Sequence, residues 1–509
     1  MGSRVKNSLR NSFWGATTNI VITFLNFIVR TIFIKVLGNE YLGINGLFTN
    51  ILYVLNFAEL GIGHAIVYNL YKPVAENDKE RIKTLVNLYK RIYFIIGLLV
   101  LGLGLLVLPF MNFIIKETPD IKESLSLIYL IYLLETTCVY FFGYKRSLLL
   151  VYQKNYINSL IDLICSVLKS LIQTFILIYT KDYMLYLLVF LLSTLVSNIY
   201  IYLRTNKDYP FLKEKNIIKA TKEEIKEIFI NVKSLFLYKL GNTVLSGTDN
   251  IILSMLIGIN AVGLYSNYSL IITAVSGILW TILSGLTGSI GNLNVYKDKN
   301  HQMNIFNEVL FLSSLLYGFG TLCLGLLLNS FITIWIGEEF LLSNLTVIFL
   351  VVVCYLRGVA FPANVYRDTL GLFKEGRIMP FICSIINISL SILLGKLMGI
   401  KGVFLATIIS IVTTTFWYMP KLIYNKVFGM NFFSYLKKIF IFTMPFIISF
   451  FICNNILNLF VRETLLIFIV KSLIVVMVTL IIYIVIEHNQ REYKEIKRKL
   501  FEIIKKRKV

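Results

Sequence analysis

Long apolar stretches alternate with short polar breaks along almost the whole chain. A helix needs about 20 mainly apolar residues to cross the hydrocarbon core of a bilayer. On that measure the pattern predicts membrane-spanning helices over 14–36, 46–68, 92–115, 124–144, 156–179, 183–203, 235–257 and 262–286. Further runs cover 305–328, 345–364, 379–397, 403–420, 439–457 and 464–486, fourteen in all. The last pairs are closely spaced, so twelve or thirteen is the alternative count. The first run is too long for the core of a signal peptide, and no small-residue cleavage site follows it. It is therefore read as a retained helix.

Within these runs the polar residues are not scattered. Asn19, Thr23, Asn26 and Arg30 recur every three or four positions in the first helix, and Asn45, Thr49, Asn56 and Glu59 keep the same face in the second at steps of four, seven and three. Asp162, Ser166, Lys169 and Gln173 repeat the spacing in the fifth, and Lys239, Asn242, Ser246 and Asp249 in the seventh. Each set makes one polar stripe on an otherwise apolar helix. Ionised side chains in hydrocarbon are costly, so such stripes are expected to face a bundle interior or a wet cavity. The cations Arg30, Lys169, Lys239 and Arg357 bias that interior positive, which suits an anionic phosphate or pyrophosphate held by Arg and Lys. The competing reading is internal pairing: Arg30 with Glu59, Lys169 with Asp162, Lys239 with Asp249. Lys471 stands alone on the fourteenth helix and reads as a snorkelling lysine.

Composition agrees with the pattern. Of 509 residues 57% are hydrophobic and 15% charged, with a mean hydropathy of +0.75. Soluble domains carry about 25% charged residues, so an ordinary cytosolic enzyme is excluded and a polytopic membrane protein is indicated. The net charge of +22 is sorted by the spans: 38 of the 50 Lys and Arg lie on the side of the N-terminus, seven on the other, and five inside apolar runs. That bias places both termini in the cytoplasm and supports an even number of helices. The bases form a layer facing anionic headgroups, densest over Arg491 to Lys508, so nucleic acid is not the expected partner. The six cysteines never adopt C-x-x-C spacing, and the three histidines are far apart, so neither a disulfide framework nor a metal site is expected. No cofactor is called for.

The longest polar stretch, 204–233, separates two similar halves. Gly38 and Gly43 superimpose on Gly258 and Gly263 at an offset of 220, with apolar neighbours matching. Arg146 with Val151-Tyr152-Gln153-Lys154 lies opposite Arg367 with Leu372-Phe373-Lys374-Glu375 at an offset of 221. Two matches sharing one displacement indicate a parallel six-plus-six repeat, related by an axis along the membrane normal. The expected organisation is an N-lobe over 1–203, a cytoplasmic linker over 204–233, a C-lobe over 234–428, two extra helices over 429–486, and a basic cytoplasmic tail over 487–509. The fold class is all-α.

Several short stretches carry a family resemblance. They are Arg30-Thr31-Ile32-Phe33-Ile34-Lys35-Val36-Leu37-Gly38 with Tyr41-Leu42-Gly43, and Glu59-Leu60-Gly61-Ile62-Gly63-His64-Ala65. Later come Thr248-Asp249-Asn250-Ile251-Ile252, Gly263-Leu264-Tyr265-Ser266-Asn267-Tyr268, Gly288-Ser289-Ile290-Gly291-Asn292, and Arg367-Asp368 with Gly371-Leu372-Phe373. Taken together they resemble the Wzx-type polysaccharide flippases of the multidrug/oligosaccharidyl-lipid/polysaccharide transporter superfamily. The resemblance implies two six-helix lobes working by alternating access. It also implies a substrate, an undecaprenyl-pyrophosphate-linked oligosaccharide repeat unit moved across a bacterial cell membrane for surface polysaccharide assembly, with other assembly proteins as further partners. On this reading Arg30, Lys239, Asp249, Asn26, Lys169 and Arg357 contact substrate. Glu59, Asp162 and Asp249 either carry a coupling proton or sodium ion or neutralise the cations.

Two alternatives share the superfamily: a flippase for the peptidoglycan lipid precursor, and a cation-coupled drug exporter. The exporter should show net acidic stripes, whereas these read as basic. A membrane glycosyltransferase or polymerase would need a catalytic constellation on a sizeable loop. The outer loops here are short, and the inner stretch Arg204 to Lys233 has Glu223 and Glu224 without metal-ligand spacing, so the chain is not expected to be an enzyme.

Overall fold

The computed structural model describes residues 2–59, 62–117, 119–214, 222–287, 290, 299–370, 372–460 and 462–507. Residues 215–221 of the polar stretch, and the Gly288–Asn292 motif apart from Ile290, lie outside them. The described residues are helical with no strand. Twelve of their helices are long and apolar enough to cross a membrane. The other two expected spans fall on a broken helix over 39–76 and on a helix over 222–256. The chain is an all-α, multi-pass membrane protein, and it divides into two compact units, Met1–Gly263 and Leu264–Val509.

The first unit is built from α1 (Gly2–Leu37), α2 (Asn39–Leu55), α3 (Ile62–Glu76), α4 (Lys79–Val107), α5 (Leu125–Gly143), the short α6 (Arg146–Val151), α7 (Asn155–Tyr179), α8 (Tyr183–Asp208), α9 (Lys222–Leu256) and the first turn of α10 (Ile259–Ser284). The apolar run expected as one span over 46–68 is two helices joined by a 3-10 stretch at Asn56–Glu59. Carboxylate caps start two of the long helices: Asp78 accepts from the Arg81 N–H at 2.9 Å, and Asp182 from the Leu185 N–H at 3.0 Å. Helix α1 packs along α7, α5 along α4 and α8, and α2 along α9.

The glycines matched at an offset of 220 do two different jobs. Gly38 and Gly258 end their helices with φ of 88° and 129°, backbone that a Cβ disfavours. Gly43 and Gly263 instead let backbones touch. A Cβ on Gly43 would stand 2.2 Å from the Ile259 carbonyl oxygen, and one on Gly263 would stand 2.5 Å from the Asn39 carbonyl oxygen. Since 259 and 263 are 39 and 43 displaced by 220, the contact is reciprocal, as a local two-fold axis requires. Asn39 closes it, donating from Nδ2 to the Asn260 carbonyl at 3.0 Å.

The second unit holds the rest of α10, then α11 (Lys299–Trp335), α12 (Asn344–Val359), α13 (Phe361–Thr369), α14 (Met379–Met398), α15 (Ile400–Thr413), α16 (Thr415–Leu422), α17 (Phe433–Leu457), α18 (Leu465–Glu487) and α19 (Arg491–Arg507). Helix α11 is its central post, packed by α12, α17, α18 and α19. Aromatic rings fill the space: Phe306, Phe311, Tyr366, Tyr424 and Tyr435 are almost wholly buried. Lys471 does not snorkel. It is 4% exposed and pairs with Glu463 at 2.5 Å, whose same oxygen accepts from the Ser330 hydroxyl at 2.9 Å. All six cysteines are free.

Candidate functional site

The polar stripes of the first unit gather into two clusters. The larger runs between α1, α5, α7 and α8. Arg30 on α1 is half-buried, with the phenols of Tyr132 on α5 and Tyr186 on α8 as electrostatic neighbours. One turn on, Phe33 stacks edge-on against Tyr183 and Tyr186, at 5.8 and 5.2 Å between centroids. The Tyr132 and Tyr183 hydroxyls lie 3.4 Å apart. One turn along α5 from Tyr132, Glu135 accepts from the Thr194 hydroxyl at 2.8 Å and interacts with Lys169 of α7, whose ammonium also lies 5.6 Å from the Phe190 ring centre.

Beyond Glu135, Asp162 receives both arms of Arg146 at 2.9 Å. Arg146 further donates to Ser197 at 2.7 Å and to Asn198 at 2.8 Å. From Tyr186 to Ser197 is eleven residues of one helix, or about 16 Å at 1.5 Å per residue. The cluster is thus a polar column through roughly half the thickness of a hydrocarbon core. Its members sit three or four positions apart because only that spacing keeps side chains on one helix face.

The second cluster surrounds the break between α2 and α3. Tyr93 of α4 donates to Glu59, and the Tyr89 hydroxyl lies 3.4 Å from that of Tyr93. Tyr140 of α5 donates to Asn56 at 2.8 Å. Lys239 of α9 is the basic group interacting with Glu59. The adjoining Gly63 leaves room for this: a Cβ there would lie 3.1 Å from the Tyr93 hydroxyl and 3.4 Å from Glu59 Oε1. Because the 3-10 turn tightens the backbone at Asn56–Glu59, it turns Glu59 out of the α2 ladder toward α4 and α9.

The internal pairs expected from sequence are rearranged. Seven residues separate Asp162 from Lys169 and ten separate Lys239 from Asp249, which is about 10 and 15 Å along a helix. The second is too long for a salt bridge, and in the first each residue has a nearer partner. Asp162 is taken by Arg146 and Lys169 by Glu135, while Glu59 goes to Lys239 rather than to Arg30. Asp249 is buried lower on α9, beside Asn250, which donates to the Gly46 carbonyl at 3.2 Å. Asn26 is exposed on α1. Arg357 belongs to the second unit, where it is exposed on α12 with Cys354 and Cys383 as electrostatic neighbours.

Two functional-looking groups escaped the sequence reading. Glu135 was readable as an acidic residue inside an apolar run, the signal that marks intramembrane sites. Arg146 enters the sequence pattern only through the repeat. With them, the first unit holds four bases (Arg30, Arg146, Lys169, Lys239) and four acids (Glu59, Glu135, Asp162, Asp249), of which Arg146–Asp162, Lys169–Glu135 and Lys239–Glu59 interact, so the basic bias expected of the stripes is offset there.

Among solved structures, one described as the lipid II flippase MurJ in an inward closed conformation superimposes with a TM-score of 0.68 at 17% identity, over 94% of this chain and 99% of that one. A multidrug resistance MATE family transporter of the MOP superfamily, in an inward-facing conformation, gives 0.59 at 14% identity over 78% and 94%. A MOP superfamily transporter from Pyrococcus furiosus, described as having a binding pocket of reverse polarity, gives 0.55 at 13% over 87% and 96%. At these identities the likeness is one of fold. Comparison with curated proteins finds no match. The model of the polysaccharide biosynthesis protein family matches residues 8–287, more than half of the chain and all of the polar column. With that match covering more than half of its length, the chain belongs to the polysaccharide biosynthesis protein family.

Proposed function

We propose that this protein flips a polyprenyl-pyrophosphate-linked oligosaccharide repeat unit across a bacterial cell membrane, in the manner of the Wzx-type flippases. It acts as a transporter and catalyses no covalent step. The observation that carries the reading is Arg30 within a tyrosine-lined part of an apolar bundle, in the segment that matches the family. Guanidinium in a partly desolvated site holds phosphate oxygens in a two-pronged geometry, and tyrosine rings beside it offer faces on which sugars stack. Arg30 takes the pyrophosphate, with Asn26, Lys169, Lys239 and Asp249 as further contacts within the first unit. Glu59, Asp162 and Asp249 neutralise these cations or carry a coupling proton or sodium ion. The six-helix repeats over 1–203 and 234–428 rock to alternate access, with both termini in the cytoplasm.

A strain deleted for the gene should accumulate lipid-linked repeat units in the inner leaflet. Wild-type protein should clear them, and Arg30→Ala should not, despite equal abundance in the membrane. Clearance by Arg30→Ala would remove Arg30 from the site. The MurJ likeness favours a second reading, flipping of a peptidoglycan precursor carrying the same lipid pyrophosphate. Growth of a strain lacking its own precursor flippase, restored by this protein, would establish that reading instead.

A further inference from the structure

The C-terminal basic helix carries a feature that transport of a substrate does not use. Helix α19 follows α18 after three residues, and it is docked rather than trailing. Tyr493 and Ile496 pack against the aromatic core of the second unit, Tyr493 lying 6.5 Å from Phe311. Two ion pairs fasten the helix at either end of this contact: Glu492 to Lys438 of α17, and Lys499 to Glu308 of α11. The opposite face presents Arg491, Lys494, Lys497 and Arg498, all exposed, with Arg498 paired to Glu495 at 2.6 Å and the three other bases outnumbering that acid. The α18 surface leading up to it is apolar and exposed at Ile481, Ile484 and Val485. The basic face therefore begins where the greasy surface ends, the level of lipid headgroups.

Docking also carries a local cost. Glu487, the last residue of α18, is fully buried, and among the described residues neither of its carboxyl oxygens has a hydrogen-bond partner. The Tyr483 hydroxyl one turn earlier is likewise without one. Glu492, also buried, adds a second acid nearby, and Lys438 serves only one of them. Burying polar groups without partners opposes docking, so the docked helix gains from any external attraction on its other face.

We propose that the exposed basic face of α19 is a binding surface for the anionic phospholipid of the adjacent leaflet, and that this lipid holds α19 down on α11 and α17. Charge complementarity supplies the attraction, worth roughly a factor of five per base close to such a surface. The two ion pairs carry the effect inward, because α19 cannot lift without releasing Lys438 and Glu308.

The test uses the full-length protein in nanodiscs of pure phosphatidylcholine or of phosphatidylcholine with phosphatidylglycerol, read by amide hydrogen exchange over residues 491–499. In the anionic discs these amides should exchange at least about tenfold more slowly, and 1 M salt should erase the difference. The triple variant Lys494→Gln, Lys497→Gln, Arg498→Gln loses three such factors, roughly a hundredfold, and should exchange alike in both discs. Melting of the transmembrane helices should be unchanged in that variant. Equal exchange of the wild-type protein in the two lipids would overturn the proposal, as would a triple variant that keeps the lipid dependence.

Discussion

The reciprocal glycine contact makes the sharpest prediction. In the first unit a Cβ at Gly43 would stand 2.2 Å from the Ile259 carbonyl oxygen and one at Gly263 would stand 2.5 Å from that of Asn39. At Gly43 the obstacle is backbone, which cannot rotate away as a side chain can, and at Gly263 it is the Asn39 backbone together with that residue's Oδ1. Separation to ordinary van der Waals distance needs a movement of about 1 Å, a strain of the kind that costs about 1–3 kcal/mol in a packed interior. The same movement stretches the Asn39–Asn260 hydrogen bond of 3.0 Å. Gly43→Ala and Gly263→Ala should therefore each destabilise the closed contact by that amount. The double variant should cost clearly less than the sum, because the first substitution already parts the backbones that the second would push. Asn39→Cys with Asn260→Cys supplies the assay: disulfide formation in membranes should slow at least fivefold when either alanine is added. Gly102→Ala is the control, since nothing lies within 4 Å of its Cβ, and a glycine to alanine change inside an unstrained helix is neutral or stabilising. Unchanged crosslinking in Gly43→Ala, or strictly additive effects in the double variant, would refute the reciprocal-contact reasoning.

Other expectations follow from the ion pairs and thiols. Lys471→Met takes the base from Glu463, whose side chain is 24% exposed, a loss of about 1–3 kcal/mol, so the melting temperature should drop, and adding Glu463→Leu should recover part of it. A double-mutant cycle of Arg146→Ala with Asp162→Ala should return a coupling energy of about 0.5–3 kcal/mol, the range for residues sharing one network. Coupling near zero would show that the two-armed contact contributes nothing. Cys354, Cys383 and Cys453, all buried, should resist a polar maleimide in native membranes and react after denaturation, whereas prompt native labelling of any of them would contradict its placement.

Much of the architecture was legible in the amino-acid sequence because hydropathy acts locally. Each helix must present apolar side chains to lipid whatever its neighbours are, so the run over 156–179 predicts α7 to within a residue. The displacement of 220 was equally legible, since Gly38 and Gly258 share a backbone conformation that side chains resist. The partners of the charged stripes were not legible. Asp162 finds Arg146, sixteen residues back around a turn, and Lys169 finds Glu135 on another helix. A sequence shows which face of a helix is polar, but which group meets it depends on the rotation and depth of the neighbouring helices, and those are set by packing. The same holds for Gly43: its composition and spacing permit a turn or a close approach, and only the apposition of α2 with the start of α10 selects the second. Lys471 makes the point from the other side, for a lysine near a span end snorkels by default until the fold brings a carboxylate within reach.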